Sequence, residues 1–287
     1  MPQQEKCNCK SEDERLLLVE GVNDCHAVFQ LMWLVSKTAP VFGIHECGND
    51  DKVLENLAAR LVSSVPRQKA LGVILDSDVE GVNASEVIQS RLDQLRPRVG
   101  EFYPLPDVFP EAGLILDPLA RQGSSRLPKL GVWLMPNNKA HGMFEDLLME
   151  ALFDEVKIYT TAVVNKAKAD KIATFKDIHL SKAVIRTYMA WQDPPDIQYL
   201  GVAIKKKTFE NIEAKCKQFI QWLEQLFVAA RVTRPKRIFC ALSACNRTKV
   251  LLVPKKRRTI AFRANPAADP SLVARSHPAY FFKSQSS

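Results

Sequence analysis

The sequence predicts an α/β protein with a parallel-sheet core, flanking helices, a helical C-terminal part and a weakly ordered basic tail. Short apolar runs alternate along the chain with longer segments whose apolar residues recur at helical spacing. This alternation is typical of parallel sheets that are covered by helices. With 287 residues, of which 46% are apolar, the chain is long enough to enclose a sizeable core.

The first half of the chain predicts three strands, each followed by a helix. Each predicted strand is a short apolar run of the kind that forms buried parallel strands. These runs are residues 15–20, 40–48 and 70–75. Each predicted helix carries an apolar face, and the helices are residues 24–36, 50–65 and 84–95. In a sheet of this order, ligands bind beyond the carboxyl ends of the strands.

The second half predicts one further strand and a helical C-terminal part. Residues 97–129, rich in Pro and Gly, predict an irregular insertion that can contain a hairpin near residues 113–117. A strand is predicted at residues 130–135, and helices are predicted at residues 143–153, 179–191 and 208–227. Residues 154–173 have mixed helical character, and residues 192–195 form a proline break. The apolar stripe of the last helix favours a packing surface over a partner-binding face.

The strand and helix pattern, taken with the charge distribution, predicts a polar N-terminal segment (1–14), an α/β domain with a helical extension (15–228) and a basic tail (229–287). The tail contains 13 Lys and Arg residues and one acid, Asp269, whereas the rest of the chain has 27 basic and 31 acidic residues. The net charge of +8 therefore does not indicate a basic domain built for nucleic acid. Four consecutive tail residues are a candidate nucleic-acid patch: Lys255, Lys256, Arg257 and Arg258. A solvated run and a C-terminus without a selected role are the alternatives.

Composition also predicts a cytoplasmic protein that does not enter the membrane. No run of 18 apolar residues is present, and the polar N-terminus lacks a secretory signal. Seven scattered cysteines predict no disulfide framework, and Cys25 and Cys47 are expected to be packing residues. Cys7-Asn8-Cys9 has no second pair at zinc spacing, so the sequence favours no zinc site there.

The clearest chemical motif follows the third predicted strand, where residues 76–81 read Asp-Ser-Asp-Val-Glu-Gly. Asp76 and Asp78 stand two positions apart at the strand end, so both carboxylates can converge on one cation. Glu20, followed by a glycine, brings a third carboxylate to the end of the first predicted strand. Hard oxygen ligands suit Mg²⁺ or Mn²⁺ bound together with a phosphate. One alternative is a turn with a helix cap and no metal. Another is a calcium-binding EF-hand, which Val87 at the twelfth position and the preceding strand argue against.

The pairing of these two strand ends resembles the Toprim domain of type IA and type II topoisomerases, bacterial primases and the overcoming-lysogenization-defect nucleases. The Asp-x-Asp-x-Glu-Gly form is most similar to that of type IA topoisomerases. A wider pattern, in residues 18–24, 131–138 and 142–146, resembles an uncharacterised family of small stand-alone Toprim-related proteins of the nucleotidyltransferase/hydrolase-like kind. The resemblance spans roughly residues 15–227. That family is expected to carry Asp where this chain has Asn137.

The resemblance implies a role for each acidic residue. Asp76 and Asp78 would hold Mg²⁺ or Mn²⁺, and Glu20 would act as a general acid or base or as a further metal ligand. Glu80 would be an additional ligand. Three residues that follow another predicted strand are accessory candidates: Glu145, Lys139 and His141. The alternative is that these residues have no part in a site. Lys139 and His141 would then lie in a solvated loop, and Glu145 in the first turn of a helix, where an acid suits the helix dipole.

These expectations together predict Mg²⁺-dependent phosphodiester hydrolysis, or phosphoryl or nucleotidyl transfer, on nucleic acid, most simply by a nuclease. An enzyme with the same metal chemistry on a nucleotide or another small phosphate ester is the first alternative. The second is a non-catalytic protein that keeps the fold and binds a partner protein or another copy of itself. Salt-dependent DNA binding would separate the nuclease from the enzyme of small phosphate esters.

Overall fold

A five-stranded, mostly parallel sheet forms the centre of the protein. The computed structural model describes residues 7–63, 68–119, 127–195 and 197–228. The strands are β1 (Arg15–Val19), β2 (Gly43–Glu46), β3 (Ala70–Leu75), β4 (Leu114–Leu116) and β5 (Lys129–Leu134). Their order is β2-β1-β3-β5-β4, and only the β4–β5 pair is antiparallel. The predicted parallel-sheet core is confirmed, whereas the tail lies outside the described residues.

Helices flank the sheet and make up the C-terminal part of the domain, as predicted. In chain order they are α1 (Val22–Ser36), α2 (Asp50–Val62), α3 (Ala84–Val99), α4 (Phe144–Met149), α5 (Asp154–Ala169), α6 (Leu180–Ala190), α7 (Leu200–Lys205), α8 (Ile212–Lys215) and α9 (Lys217–Phe227). Within the described ranges, no helix is long and apolar enough to cross a membrane.

The last predicted helix, residues 208–227, is wrong as a single element. Two helices, α8 and α9, occupy this stretch and are separated at Cys216. Asn211, directly before α8, has a left-handed φ of 47°, so no regular helix can run through it. The short helix α7 was not predicted, because six residues are too few to display a helical period.

Two hydrophobic cores lie on opposite faces of the sheet. Successive side chains of a strand point to opposite faces. Leu17 and Val19 therefore enter one core, whereas Leu16 and Leu18 enter the other. Helices α1, α4, α6, α7 and α9 contribute to the first core, and α2 and α3 contribute to the second. Burial on both faces explains why the strands read as continuous apolar runs.

Two glycines, Gly72 and Gly131, let α9 approach the sheet closely. They are direct partners across β3 and β5, and we call them the glycine pair. A Cβ atom at Gly131 would lie 2.4 Å from Cδ2 of Leu226, and one at Gly72 would lie 2.9 Å from the same atom. The indole of Trp222 also approaches Gly131 and donates from Nε1 to the carbonyl of Leu114 at 2.9 Å. Because the pair has no side chains, α9 can close this face of the core.

The N-terminal segment is joined to both the edge of the sheet and α1. Lys10 forms an isolated antiparallel bridge with His45 of β2, and Cys9 forms a disulfide with Cys25 of α1. The cysteine spacing did not predict this bond, because spacing cannot reveal two residues that only folding brings within bonding distance. Cys25 is fully buried.

Candidate active site at the carboxyl edge of the sheet

Glu20 and Asp76 meet at the carboxyl edge of the sheet. Glu20 directly follows β1 and Asp76 directly follows β3, and these strands are parallel neighbours. The main-chain N–H of Asp76 donates a hydrogen bond to Oε1 of Glu20 at 3.0 Å. The structure therefore brings together two acidic residues that lie far apart in the sequence.

The loop that follows β3, residues 76–81, is held from two sides; we call it the aspartate loop. The N–H of Ser77 donates to the carbonyl of Gly142 at 2.8 Å, and the N–H of Gly142 donates back at 3.0 Å. Buried Arg91 of α3 donates from Nε to the carbonyl of Asp76 at 3.0 Å and pairs with Asp50 at 2.9 Å. These contacts fix the direction in which the loop leaves the sheet, and with it the positions of its two aspartates.

Of the carboxylates with raised pKa values in this region, we call five the acidic cluster: Glu20, Asp24, Asp76, Asp78 and Glu145. A sixth, Asp146, accepts the N–H of Met143 at the start of α4. Burial is the largest cause of each raised pKa. The pKa of Asp76 lies well above its ordinary value, because the charges of Glu20 and Asp24 add to the effect of burial. Burial raises the pKa of Asp24 to about 7. Carboxylates in such surroundings favour either protons or a cation.

The donor set of the acidic cluster fits a hard divalent cation. Carboxylate oxygens are the ligands that Mg²⁺ and Mn²⁺ prefer, and a cation between them offsets their repulsion. Among the described residues, the only group of three whose ligand atoms all lie within 4.8 Å of one another is Cys7, Cys9 and His26. The carboxylates of the cluster are more widely spaced than this. Magnesium ligation here therefore requires side-chain rotation or bridging waters, several of which Mg²⁺ ordinarily keeps.

Helix α6 adds positive charge beside the acidic cluster. Lys182 lowers the pKa values of Asp24, Asp78 and Glu145 against the larger effect of burial. Arg186, one turn further along α6, acts on Glu145 in the same direction. Lys182 is exposed, so its ammonium group is accessible to an anion in solution. Carboxylates beside an accessible ammonium form a site that can hold a cation and a phosphate side by side.

Comparison with known proteins gives one match. Residues 14–228 match the family described as protein of unknown function (DUF3226). The chain belongs to this family. The matched region begins one residue before β1 and ends one residue after α9, so the acidic cluster and α6 lie within the DUF3226 domain. No curated protein and no solved structure matches the chain.

Three further residues predicted from the sequence, Glu80, Lys139 and His141, make their contacts outside the acidic cluster of the DUF3226 domain. Glu80 is exposed and pairs with Lys176 at 3.2 Å, and Lys139 is exposed and pairs with Glu111 at 3.2 Å. His141 donates from Nε2 to a main-chain carbonyl of the aspartate loop at 2.9 Å. The structure therefore places Glu145 within the acidic cluster but leaves the carboxylate of Glu80 outside it.

An open cleft of about 440 Å³ lies beside the acidic cluster of the DUF3226 domain. Its walls include Glu80, His141, Asp146 and Ser181. The carboxylate of Asp146 accepts hydrogen bonds from the hydroxyl of Ser181 at 3.1 Å and from the N–H of Met143 at 2.7 Å. This cleft falls within the volume range of small-molecule sites.

Asn137 lies in the turn after β5. The stand-alone Toprim-related family that the sequence resembles is expected to carry Asp at this position. Oδ1 of Asn137 accepts the N–H of Ala140 at 2.8 Å, so this residue has a structural role in the loop that leads to His141. The basic patch Lys255, Lys256, Arg257 and Arg258 lies outside the described residues.

Sequence reasoning missed Asp24 and Lys182 as site residues. Asp24 stands three residues after Gly21, and its Oδ2 accepts the N–H of that glycine at 2.9 Å. An acid in the first turn of a helix is common for capping alone, so its type and position did not distinguish it. Lys182 lies far beyond the aspartate loop in the sequence, and only tertiary packing brings it to the site.

Proposed function

We propose that this protein is a Mg²⁺- or Mn²⁺-dependent phosphodiesterase that acts on nucleic acid, most simply a nuclease. The observation that carries the proposal is the meeting of Glu20 and Asp76 at neighbouring strand ends. Asp78, Asp24 of α1, buried Glu145 of α4 and exposed Lys182 add to this pair. The earlier resemblance to Toprim domains supports the same chemistry and remains part of the proposal.

Each side chain of the proposed site has a separate task. Asp76 and Asp78 would hold the cation, which when bound polarises the phosphate and lowers the pKa of water. Glu20 uses Oε1 to accept the N–H of Asp76, which leaves Oε2 to accept a proton from the attacking water. Lys182 and Arg186 would bind the non-bridging oxygens of the phosphate.

A small phosphate ester is the second candidate substrate, and two observations favour it. The chain outside the basic tail has 27 basic and 31 acidic residues, which disfavours a long polyanion on that part of the protein. The cleft beside the cluster, at about 440 Å³, is large enough for a nucleotide-sized molecule. A non-catalytic protein that binds a partner remains the third alternative.

The test is cleavage of plasmid DNA, single-stranded DNA and RNA by the purified chain with Mg²⁺, with Mn²⁺ and with EDTA. We expect cleavage only with a divalent cation, and loss of it in Asp76→Asn and Asp78→Asn. Glu20→Gln should lower the rate by about 10²–10⁴-fold, the range of a lost acid–base group. Asp107→Asn is the matched control, because it neutralises a fully exposed carboxylate outside the cluster.

The outcomes separate the three candidates. Hydrolysis of a nucleotide or an aryl phosphodiester without cleavage of any nucleic acid would favour the small phosphate ester. Tight Mg²⁺ binding, measured by calorimetry, without activity on any of these substrates would favour the non-catalytic alternative. Failure of the cluster to bind Mg²⁺ or Mn²⁺ would overturn the catalytic proposal.

A further inference from the structure

A second group of metal-binding side chains lies away from the acidic cluster, where the N-terminal segment meets α1. We call it the sulfur cluster: Cys7, Cys9, Cys25 and His26. Sγ of Cys7 lies 3.7 Å from Sγ of Cys9 and 3.3 Å from Sγ of Cys25. The ligand atoms of Cys7, Cys9 and His26 all lie within 4.8 Å of one another, and Cys9 is bonded to Cys25.

The position of the sulfur cluster is fixed from both sides. The N–H of Ser11 donates to the carbonyl of Ile44 at 3.1 Å, and the N–H of Glu46 donates to the carbonyl of Cys9 at 2.8 Å. These bonds hold the N-terminal segment along β2. Cys25 and His26 belong to the second turn of α1 and are carried on a packed helix. Neither ring nitrogen of His26 makes a hydrogen bond to any described residue, so the imidazole is available as a ligand.

Three sulfurs and one imidazole form the Cys₃His donor set of structural zinc sites. In a tetrahedral site with Zn–S bonds of about 2.3 Å, the sulfurs stand about 3.8 Å apart. The Cys7–Cys9 separation of 3.7 Å matches this geometry, and the Cys7–Cys25 separation of 3.3 Å is close to it. The bonded pair Cys9 and Cys25 must separate before both sulfurs can bind a metal. The Cα atoms of this pair are 5.8 Å apart, so side-chain rotation can supply that separation.

We propose that the reduced chain binds one Zn²⁺ ion through Cys7, Cys9, Cys25 and His26. A dithiol reductant supplies two electrons and two protons, which convert the Cys9–Cys25 bond into two thiols, and the reductant leaves as its own disulfide. Binding of Zn²⁺ then displaces the three thiol protons into solution and leaves a site of net charge −1. The oxidised chain retains the disulfide and binds no zinc at this site.

The zinc site would hold the N-terminal end of α1, which carries Asp24 of the acidic cluster. Asp24 of the acidic cluster directly precedes Cys25, and Gly21 begins the turn into α1. A metal bound to Cys25 and His26 therefore ties this part of α1 to the N-terminal segment and the β2 edge. This role is independent of the proposed phosphodiesterase activity, and its test does not use that activity.

The first experiment measures zinc in the full-length chain after purification with a trialkylphosphine reductant and without chelators. We expect one zinc per chain by elemental mass spectrometry. Replacement with Co²⁺ should give visible absorption bands of a tetrahedral ion and a near-ultraviolet sulfur-to-metal charge-transfer band. Oxidation with a mild disulfide-forming reagent should release the metal and restore the Cys9–Cys25 bond in a peptide map.

Variants identify the ligands. We expect Cys7→Ser, Cys25→Ser and His26→Gln each to weaken Zn²⁺ binding by at least about 10–100-fold. That range is the loss found when a residue that only orients a metal ligand is changed, and loss of a ligand itself should cost no less. Cys47→Ser is the matched control, because Cys47 is a half-buried free cysteine outside the cluster. Circular dichroism shows whether each variant is folded.

Two results would overturn the proposal. One is a reduced and folded wild-type chain that binds neither Zn²⁺ nor Co²⁺, which would show that the three thiols and the imidazole do not form a metal site. The other is zinc binding that is as tight in Cys7→Ser and Cys25→Ser as in Cys47→Ser. If a variant fails to fold, the intensity of the Co²⁺ charge-transfer band in the wild type still counts the coordinating sulfurs.

Discussion

At the scale of single residues, the acidic cluster concentrates ionisable groups where water is scarce. The pKa values of Asp76, Glu20 and Asp24 are raised, so the folded chain holds these protons more tightly than the unfolded chain does. Their contribution to stability is fully present below the unfolded pKa, near 4. It is lost as the pH rises through the folded pKa, which for Asp24 is about 7. A cation bound at the cluster would replace those protons at neutral pH.

The change Asp76→Asn removes one of these charges and keeps the size of the side chain. In EDTA at pH 8, we expect this variant to melt a few degrees above the wild type, because about 1 kcal/mol shifts Tm by ~2–4 °C in a domain of this size. As the pH falls toward 4 the two Tm values should converge, because the raised pKa of Asp76 favours its neutral form in the folded wild type. Scanning calorimetry at both pH values provides the measurement.

The same Tm measurements with Mg²⁺, and with a variant at an exposed carboxylate, provide the controls. Saturating Mg²⁺ should raise the Tm of the wild type at pH 8 and have little effect on Asp76→Asn. Asp107→Asn should follow the wild type under every condition, since its carboxylate is fully exposed. Equal Tm values for Asp76→Asn and the wild type in EDTA at pH 8 would show that Asp76 carries no destabilising charge.

The sequence could predict that three carboxylates lie at one edge of the sheet, for a simple geometric reason. Glu20, Asp76 and Asp78 follow apolar runs, and parallel strands bring such positions to one edge. Glu80 shares the same motif, yet its side chain turns outward to Lys176. Alternation along a strand no longer applies once the chain leaves the sheet, so the sequence could not show which acids of the aspartate loop point inward.

At the scale of elements, α9 and the glycine pair form one packing unit. Phe219, Trp222 and Leu223 of α9 are buried, and Trp133 of β5 lies 5.3 Å from the ring of Phe219. The apolar stripe of the predicted final helix was correctly interpreted as packing surface. The break between α8 and α9 was not predicted, because the two helices keep a similar apolar stripe on either side of Cys216. Periodicity alone does not reveal such a break.

Truncation of a buried side chain in α9 tests this packing unit. Leu223 has no exposed surface, so Leu223→Ala should lower the free energy of unfolding by about 2–5 kcal/mol. Ile172→Ala is the matched control, because Ile172 is 77% exposed; its change should stay within about 0.5 kcal/mol. Urea denaturation measures both. A loss in Leu223→Ala no larger than that of Ile172→Ala would contradict close packing of α9.

At the scale of the whole molecule, charge is divided along the chain. The last 59 residues contain 13 basic side chains and one acid, whereas the preceding part has an excess of four acids. A polyanionic substrate would therefore be attracted mainly by the tail, and the acidic edge of the sheet would act on phosphate groups that reach it. The residues that attract the substrate and the residues that act on its phosphate groups would then lie in different parts of the sequence.

A chain that ends at Val228 tests this division. We expect it to bind single-stranded DNA more weakly than the full chain does, with a smaller dependence of log K on log salt, because fewer phosphates are neutralised. Its Mg²⁺ affinity should be unchanged, because the acidic cluster lies before that residue. Fluorescence anisotropy across a salt series gives the slope. An identical slope and affinity in both chains would show that the tail takes no part in binding.

The fit of α9 onto the glycine pair also affects how the protein is made. A ribosome synthesises all five strands before α9, and the earlier parts of a chain begin to fold first. Until α9 is complete, the face of the sheet around Ile74 and Trp133 lacks the helix that covers it. A nascent chain stalled just before α9 would expose this apolar face to chaperones and proteases. Quality control in the cell can therefore distinguish an unfinished DUF3226 domain from a finished one by a single helix.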